Sequence, residues 1–164
     1  MIVIVMGVTG SGKTSVGSLL AQRLGWQFAD ADDFHPPTNI EKISQGVALD
    51  DLDRRPWLAA MREAILRWNG GGKNVVLACS ALKRSYRDQL RAGPVQFVYL
   101  KGDSELIRER LRKRHGHFAS ETILKSQFQD LEEPQEAITV EIGKEPSVIV
   151  SQIVEKLKVE REGQ

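Results

Sequence analysis

Cysteine is nearly absent from this chain: Cys79 is the only one in 164 residues. That excludes an intramolecular disulfide and any cysteine-rich metal centre, and leaves Cys79 as a small core residue. An excess of one charge is absent too. Lys and Arg total 23 against 22 Asp and Glu, a net charge of +1, so no global basic field argues for a nucleic-acid partner. Long apolar runs are also missing. The opening run, Ile2-Val3-Ile4-Val5-Met6, is too short for the apolar core of a signal peptide or for a membrane span. The expectation is a cytoplasmic protein with no membrane partner. There is no internal repeat, linker or low-complexity segment. Hydrophobic residues at 41% and charged residues at 27% match ordinary soluble globular proteins. The length suits one domain over residues 1–164 with one sizeable core.

What is present is concentrated at the start. The apolar run leads into Gly7-Val8-Thr9-Gly10-Ser11-Gly12-Lys13-Thr14, followed by residues 15–24 with apolar positions at helical spacing and a stop at Gly25. Strand, glycine loop and helix in that order make the G-x-x-x-x-G-K-[ST] pattern a P-loop. Its glycines let backbone N–H groups face a phosphate chain, and the helix N-terminus adds partial positive charge. Lys13 is placed to reach the β- and γ-phosphates, and the Thr14 hydroxyl to ligate Mg²⁺.

Further on, strands alternate with helices. Residues 26–29, 74–78, 95–100 and 137–142 read as strands. Residues 39–45, a segment with Pro56 in its first turn, 82–90, 103–114, a segment capped by Ser120, and the stretch from Pro146 read as helices. The expected fold is α/β: a five-stranded parallel sheet with helices on both faces and ligands at the strands' carboxyl ends. The break at residues 115–119 suggests a small lid near 110–122.

Several residues carry chemistry in this arrangement. Asp30-Ala31-Asp32-Asp33 ends the second strand, expected beside the P-loop strand. Alternation along an extended chain puts Asp30 and Asp32 on one face and Asp33 on the other. One carboxylate would orient and deprotonate an acceptor hydroxyl and the other would serve Mg²⁺. A solvated acidic turn reads equally well on spacing alone. The third strand ends in Cys79-Ser80 without a Walker B carboxylate, and no Asn-Lys-x-Asp guanine reader occurs. Both absences argue against a motor ATPase or GTPase and for a small-molecule kinase. Lys83 and Arg87, at i and i+4, could point over the cleft or form a solvated basic edge. The same choice holds for His35 and Arg54. Arg108, Arg110, Arg112, Lys113 and Arg114 precede the break at Gly116, where lid arginines of a kinase or a charged helix surface are both open. Trp57 and Trp68 read as core.

With these residues in view, the chain resembles the gluconokinases, small P-loop kinases related to the shikimate kinases. The resemblance runs from Ile2 to about Leu157. Beyond GVTGSGKT it rests on Asp30-Ala31-Asp32-Asp33-Phe34-His35-Pro36, Asp53-Arg54-Arg55-Pro56-Trp57-Leu58, Cys79-Ser80-Ala81-Leu82-Lys83, Gly116-His117-Phe118 and Ser126-Gln127-Phe128. It departs mildly at Asp50 and at Ala119-Ser120-Glu121. The resemblance implies a P-loop NTPase fold and transfer of phosphate from Mg·ATP to D-gluconate. By position it implies that Gly7, Val8, Thr9, Gly10, Ser11, Gly12, Lys13, Thr14, Ser15 and Arg110 bind nucleotide, and that Thr14 and Asp30 hold Mg²⁺ directly or through water. Lys13, Asp32 and Arg114 would be catalytic, and Asp32, His35, Arg54, Lys83, Arg87 and His117 would meet the acceptor. It also implies a homodimer. A kinase for shikimate or idonate, or a nucleotide-binding regulator without turnover, remains an alternative.

Overall fold

The computed structural model describes the backbone of residues 1–115 and 118–162, and side chains outside 114–120 and 159–164. Five parallel strands form one sheet: β1 (Ile2–Met6), β2 (Gln27–Asp30), β3 (Val75–Ala78), β4 (Val95–Lys101) and β5 (Ile138–Glu141). The helices are α1 (Lys13–Leu24), α2 (Pro37–Ser44), α3 (Asp51–Gly70), α4 (Arg84–Leu90), α5 (Ser104–His115), α6 (Phe118–Asp130) and α7 (Pro146–Glu162). Among the described residues no helix is long and apolar enough to cross a membrane.

Alternation along β1 builds the two halves of the core. Val3 and Val5 face Val16, Leu20, Ile149 and Ile153 on the α1 and α7 side. Ile2, Ile4 and Met6 face Trp57, Met61 and Ile65 of α3 on the other. Every residue of β1 and β3 is buried, which is why both read as continuous apolar runs rather than alternating ones. Met61 is fully enclosed, and truncating such a side chain to alanine costs about 2–5 kcal/mol.

The strand order is β2-β3-β1-β4-β5. β2 is therefore not beside the P-loop strand, as the sequence suggested. β3 lies between them, and Ala78 pairs with both Val5 and Asp30. The gap is bridged above the sheet by α1, which packs on β3 and β2. Gly17 permits that approach, because a Cβ there would meet the Phe28 ring at 3.1 Å.

Other local expectations change as well. Residues 31–34 form a 3₁₀ turn, not extended chain, and the Asp30 carboxylate caps it by accepting the Asp32 N–H at 2.9 Å. α3 begins five residues before Pro56, so Pro56 lies inside the helix. Asp51 and Asp53 lie in its first turn, where negative charge suits the helix dipole. Asp50 accepts the Asp53 N–H at 2.8 Å while Asp53 accepts the Asp50 N–H at 3.1 Å, a reciprocal capping box. The carbonyl of Leu52, which Pro56 deprives of a donor, belongs to an exposed residue that water can reach. α4 starts at Arg84 with Lys83 as its cap, and α6 starts at Phe118, which puts Ser120 inside the helix rather than at its N-cap.

Candidate active site

The loop from Gly7 to Gly12 sits between two depressions at the carboxyl end of the sheet. At its first glycine it is packed too closely for a side chain. A Cβ on Gly7 would lie 2.6 Å from Ser11 Oγ and 3.2 Å from the Leu100 carbonyl oxygen. Gly12, at φ +92°, is the N-cap of α1, and no side chain caps the helix there. The first-turn N–H groups of α1 are thus left for an anion. Ser11 Oγ is buried with no hydrogen-bond partner among the described residues. An uncapped helix start and an orphaned hydroxyl in a glycine loop fit a phosphate chain.

On one side of the loop a depression of about 290 Å³ is lined by Gly12, Ser15, Arg110, Lys113 and Lys144. Arg110 therefore stands beside the P-loop. On the other side a cleft of about 450 Å³ gathers Thr9, Lys13, Asp32, His35, Arg54 and Ser80. Ile43, Val47 and Leu49, from α2 and the chain after it, form its apolar wall. The two carboxylates at the end of β2 divide their work. Asp30 Oδ2 accepts the Thr14 hydroxyl at 3.0 Å, whereas Asp32 lines the larger cleft. Asp33 is exposed and lines neither depression.

His35 stacks on Trp57 with ring centroids 4.5 Å apart and planes 6° from parallel. Trp57 is anchored in turn, its indole N–H donating to the Ala31 carbonyl at 2.8 Å. Asn39 Nδ2 contacts His35 Nδ1 at 3.2 Å and donates to the Asp53 carbonyl at 2.8 Å. An amide donor at Nδ1 selects the tautomer protonated on Nε2. Burial pushes the His35 pKa below its ordinary value, with Arg54 acting the same way and Asp32 against them. The imidazole is held neutral.

Arg54 is 6% exposed. Its Nη1 donates to Tyr86 Oη at 3.0 Å and to Asp130 Oδ2 at 2.9 Å. Burial works against its charge, but these two partners outweigh it and hold the pKa above the ordinary arginine value. Tyr86 donates onward to Asp51, which also takes Lys83 Nζ at 2.8 Å. Lys83 thus differs from the sequence expectation: it does not line the cleft and is ion-paired behind it. Asp51 is held below the usual carboxylate range, chiefly by Lys83 and then by Tyr86.

Arg87 differs further. It is buried and donates to three backbone carbonyls, those of Ala81, Leu82 and Glu132. It does not line the cleft. The i, i+4 spacing was right, but the helix starts two residues later than expected, so Lys83 caps it instead of lying within it, and Arg87 turns back under the loop that precedes it. The side chain of Arg114 and the whole of His117 lie outside the described residues, as does most of the expected lid tip.

Sequence reasoning missed one polar contact across the cleft. Gln127 of α6 accepts the Thr9 N–H at 2.6 Å and lines the larger cleft. Its stretch stood out in the sequence, but no periodicity links it to a loop 118 residues away. Asp130, the partner of Arg54, was missed for the same reason.

The family model described as shikimate kinase matches residues 9–158. A probable gluconokinase of Xenopus tropicalis is 47% identical, the match covering 93% of this chain and 91% of that protein. A gluconokinase of Gluconobacter oxydans is 43% identical over 96% of this chain and 91% of its own. Among solved structures, a gluconokinase from Sinorhizobium meliloti superposes with a TM-score of 0.89 at 41% identity, covering 98% of this chain and 93% of that one. A P-loop backed by a Thr14–Asp30 pair, an Asp32 cleft beside it, and kinship over nearly the full length converge: the chain belongs to the gluconokinases within the shikimate kinase family.

Proposed function

We propose that this protein phosphorylates D-gluconate from Mg·ATP, giving 6-phospho-D-gluconate and ADP. The observation that carries the reading is the shared cleft, where Lys13 and Thr9 of the P-loop and Asp32 line one space of about 450 Å³. The acceptor and the γ-phosphate would meet there. Gluconate is a flexible polyol with one carboxylate, and the lining matches that chemistry. Asp32 orients the terminal hydroxyl and takes its proton as the oxygen–phosphorus bond forms and the bond to ADP breaks. Arg54 presents a buried guanidinium whose bonds to Tyr86 and Asp130 both leave from Nη1, so among the described residues Nε and Nη2 are left for the acceptor's carboxylate. His35, donating from Nε2, and Ser80 supply hydroxyl contacts.

The nucleotide would lie along the P-loop with Arg110 at its flank. Thr14 and Asp30 would hold Mg²⁺, an ion that takes few protein oxygens and completes its shell with phosphate and water. The ion would neutralise charge on the transferring group. Lys13 stabilises the charge that develops on the γ-phosphate oxygens.

The test is ADP release from Mg·ATP with gluconate, shikimate, idonate or no acceptor. Gluconate is expected to give the highest kcat/KM. Stimulation by shikimate alone would reject the reading. No stimulation by any acid would leave a nucleotide-binding regulator.

A further inference from the structure

Arg87 is a buried cation with an unusual set of partners. It is 5% exposed and forms no ion pair among the described residues. Its Nη1 donates to the Ala81 and Leu82 carbonyls at 2.7 and 3.0 Å, and its Nη2 to the Glu132 carbonyl at 2.7 Å. Burial pushes its pKa below the ordinary arginine value. A desolvated charge whose hydrogen bonds all go to neutral carbonyls is a costly arrangement even with the Glu132 and Asp88 charges favouring it, so what it holds matters.

It holds a strained turn. Ala81 has φ +45°, the only non-glycine with a positive φ among the described residues, and an L-residue avoids this region because its Cβ crowds the following carbonyl. The strain sits where the sheet gives out. The Cys79 N–H makes the last sheet bond, to the Val5 carbonyl at 3.0 Å. Ser80 then lines the cleft, and Ala81 and Leu82 turn beneath it. The Glu132 N–H donates to the same Leu82 carbonyl at 2.9 Å. Arg87 therefore bolts the β3–α4 turn to the chain that follows α6. Backbone strain that persists at the edge of a binding cleft is characteristic of functional sites.

We propose that Arg87 is a positioning residue of the acceptor site: it clamps the left-handed turn at Ala81 and so fixes Ser80 against the acceptor. It does not itself touch the acceptor. The proposal rests on reading this cleft as the acceptor site, and wild-type turnover of gluconate checks that reading separately.

The experiment measures the KM of each substrate in folded variants. Arg87→Lys keeps the charge but cannot span three carbonyls. It is expected to raise the KM for gluconate about tenfold, as for a lost charged hydrogen bond, while the KM for Mg·ATP stays within about twofold. Ser80→Ala should shift the gluconate KM in the same direction. The double variant should shift it by less than the product of the two, because they act through one turn. Ala81→Gly accepts positive φ without strain, so adding it to Arg87→Lys should bring the gluconate KM back towards wild type. A direct carboxylate contact would show neither the coupling nor this rescue. Equal losses for both substrates, a fully multiplicative double variant, or no rescue by Ala81→Gly would each overturn the proposal. Hydrogen exchange on the wild-type protein needs no variant. The Glu132 amide, which donates to the Leu82 carbonyl of the clamped turn, is expected to be protected without ligand, and exchange as fast as in an exposed loop would overturn the proposal.

Discussion

The nucleotide side of the cleft is made of consecutive residues, and the acceptor side of scattered ones. Gly7 through Thr14 present backbone N–H groups, one ammonium and three hydroxyls within a single strand-loop-helix unit. The acceptor side draws Asp32 from the end of β2, Arg54 and Trp57 from α3, Ser80 from the end of β3 and Gln127 from α6. Backbone donors need only the right loop. Side-chain donors need something behind them to hold their aim, so the acceptor side has a supporting layer of Asn39, Tyr86, Asp130 and Arg87. A phosphate chain is common to many enzymes, whereas an acceptor is particular to few. The particular half is the one that requires long-range construction.

Asp32→Asn should break the acceptor side with the largest effect. The amide keeps the size and can accept one hydrogen bond but cannot take the proton. We expect kcat to fall by about 10²–10⁴, with the Kd for Mg·ATP nearly unchanged. Asp33→Asn is the control and should be close to silent, since Asp33 is exposed within the 3₁₀ turn and lines neither depression. If Asp33→Asn were the crippling change, the placement of the general base would be wrong.

Lys13→Met breaks the nucleotide side. Removing a donor aimed at the transferring phosphoryl group should lower kcat by about 10²–10³ and leave the thermal midpoint within a few degrees. Gluconate binding to the nucleotide-free protein should be unaffected. A folded variant with near-wild-type kcat would remove the P-loop lysine from the chemistry.

The same contrast decides what was legible in the sequence. The P-loop, the five strands and the core positions of α3 and α7 could be read because each is a local pattern with a period of its own. The second carboxylate could be read as well, though for a partly wrong reason. Extended alternation put Asp30 and Asp32 on one face, but the 3₁₀ turn separates them, Asp30 at Thr14 and Asp32 in the larger cleft, across an intervening strand that no local signal reveals. Lys83 and Arg87 were misplaced because helical spacing names a face without saying what that face meets. Trp57 was legible only as core, where it is also the platform for His35.

A hydrogen bond from the Thr9 N–H to Gln127 Oε1 joins the P-loop directly to the far wall of the cleft. Gln127→Leu leaves a half-buried N–H without its acceptor, at a cost of about 1–2 kcal/mol. We expect kcat/KM to fall about tenfold with both substrates affected, and the tightening of gluconate by a non-hydrolysable ATP analogue to disappear. A rise in the gluconate KM alone would make Gln127 a plain acceptor contact and leave the two sides uncoupled at this point.

The smallest expected effect is a pH dependence at His35. Its pKa lies below the ordinary histidine value of 6.5 in the folded protein, because burial disfavours the imidazolium. The unfolded chain therefore binds more protons than the folded one as pH falls through about 6.5, and stability that is fully present above that pH is lost as acid is added, down to the folded pKa. The contact with Asn39 gives the same sign, because protonation of Nδ1 would set an N–H against the Asn39 amide that now donates to it. Losing that one neutral hydrogen bond is worth about 0.5–1 kcal/mol, or roughly 2 °C in Tm for a chain of this size. Acceptor binding should weaken in the same window, since the stacked ring must shift to relieve the contact, while ATP binding should not. His35→Gln cannot protonate, so the difference between wild type and variant in Tm should shrink as pH falls from 7.5 to 5.5. A difference that stayed constant or grew over that range would mean that His35 is not the group held neutral beside the acceptor.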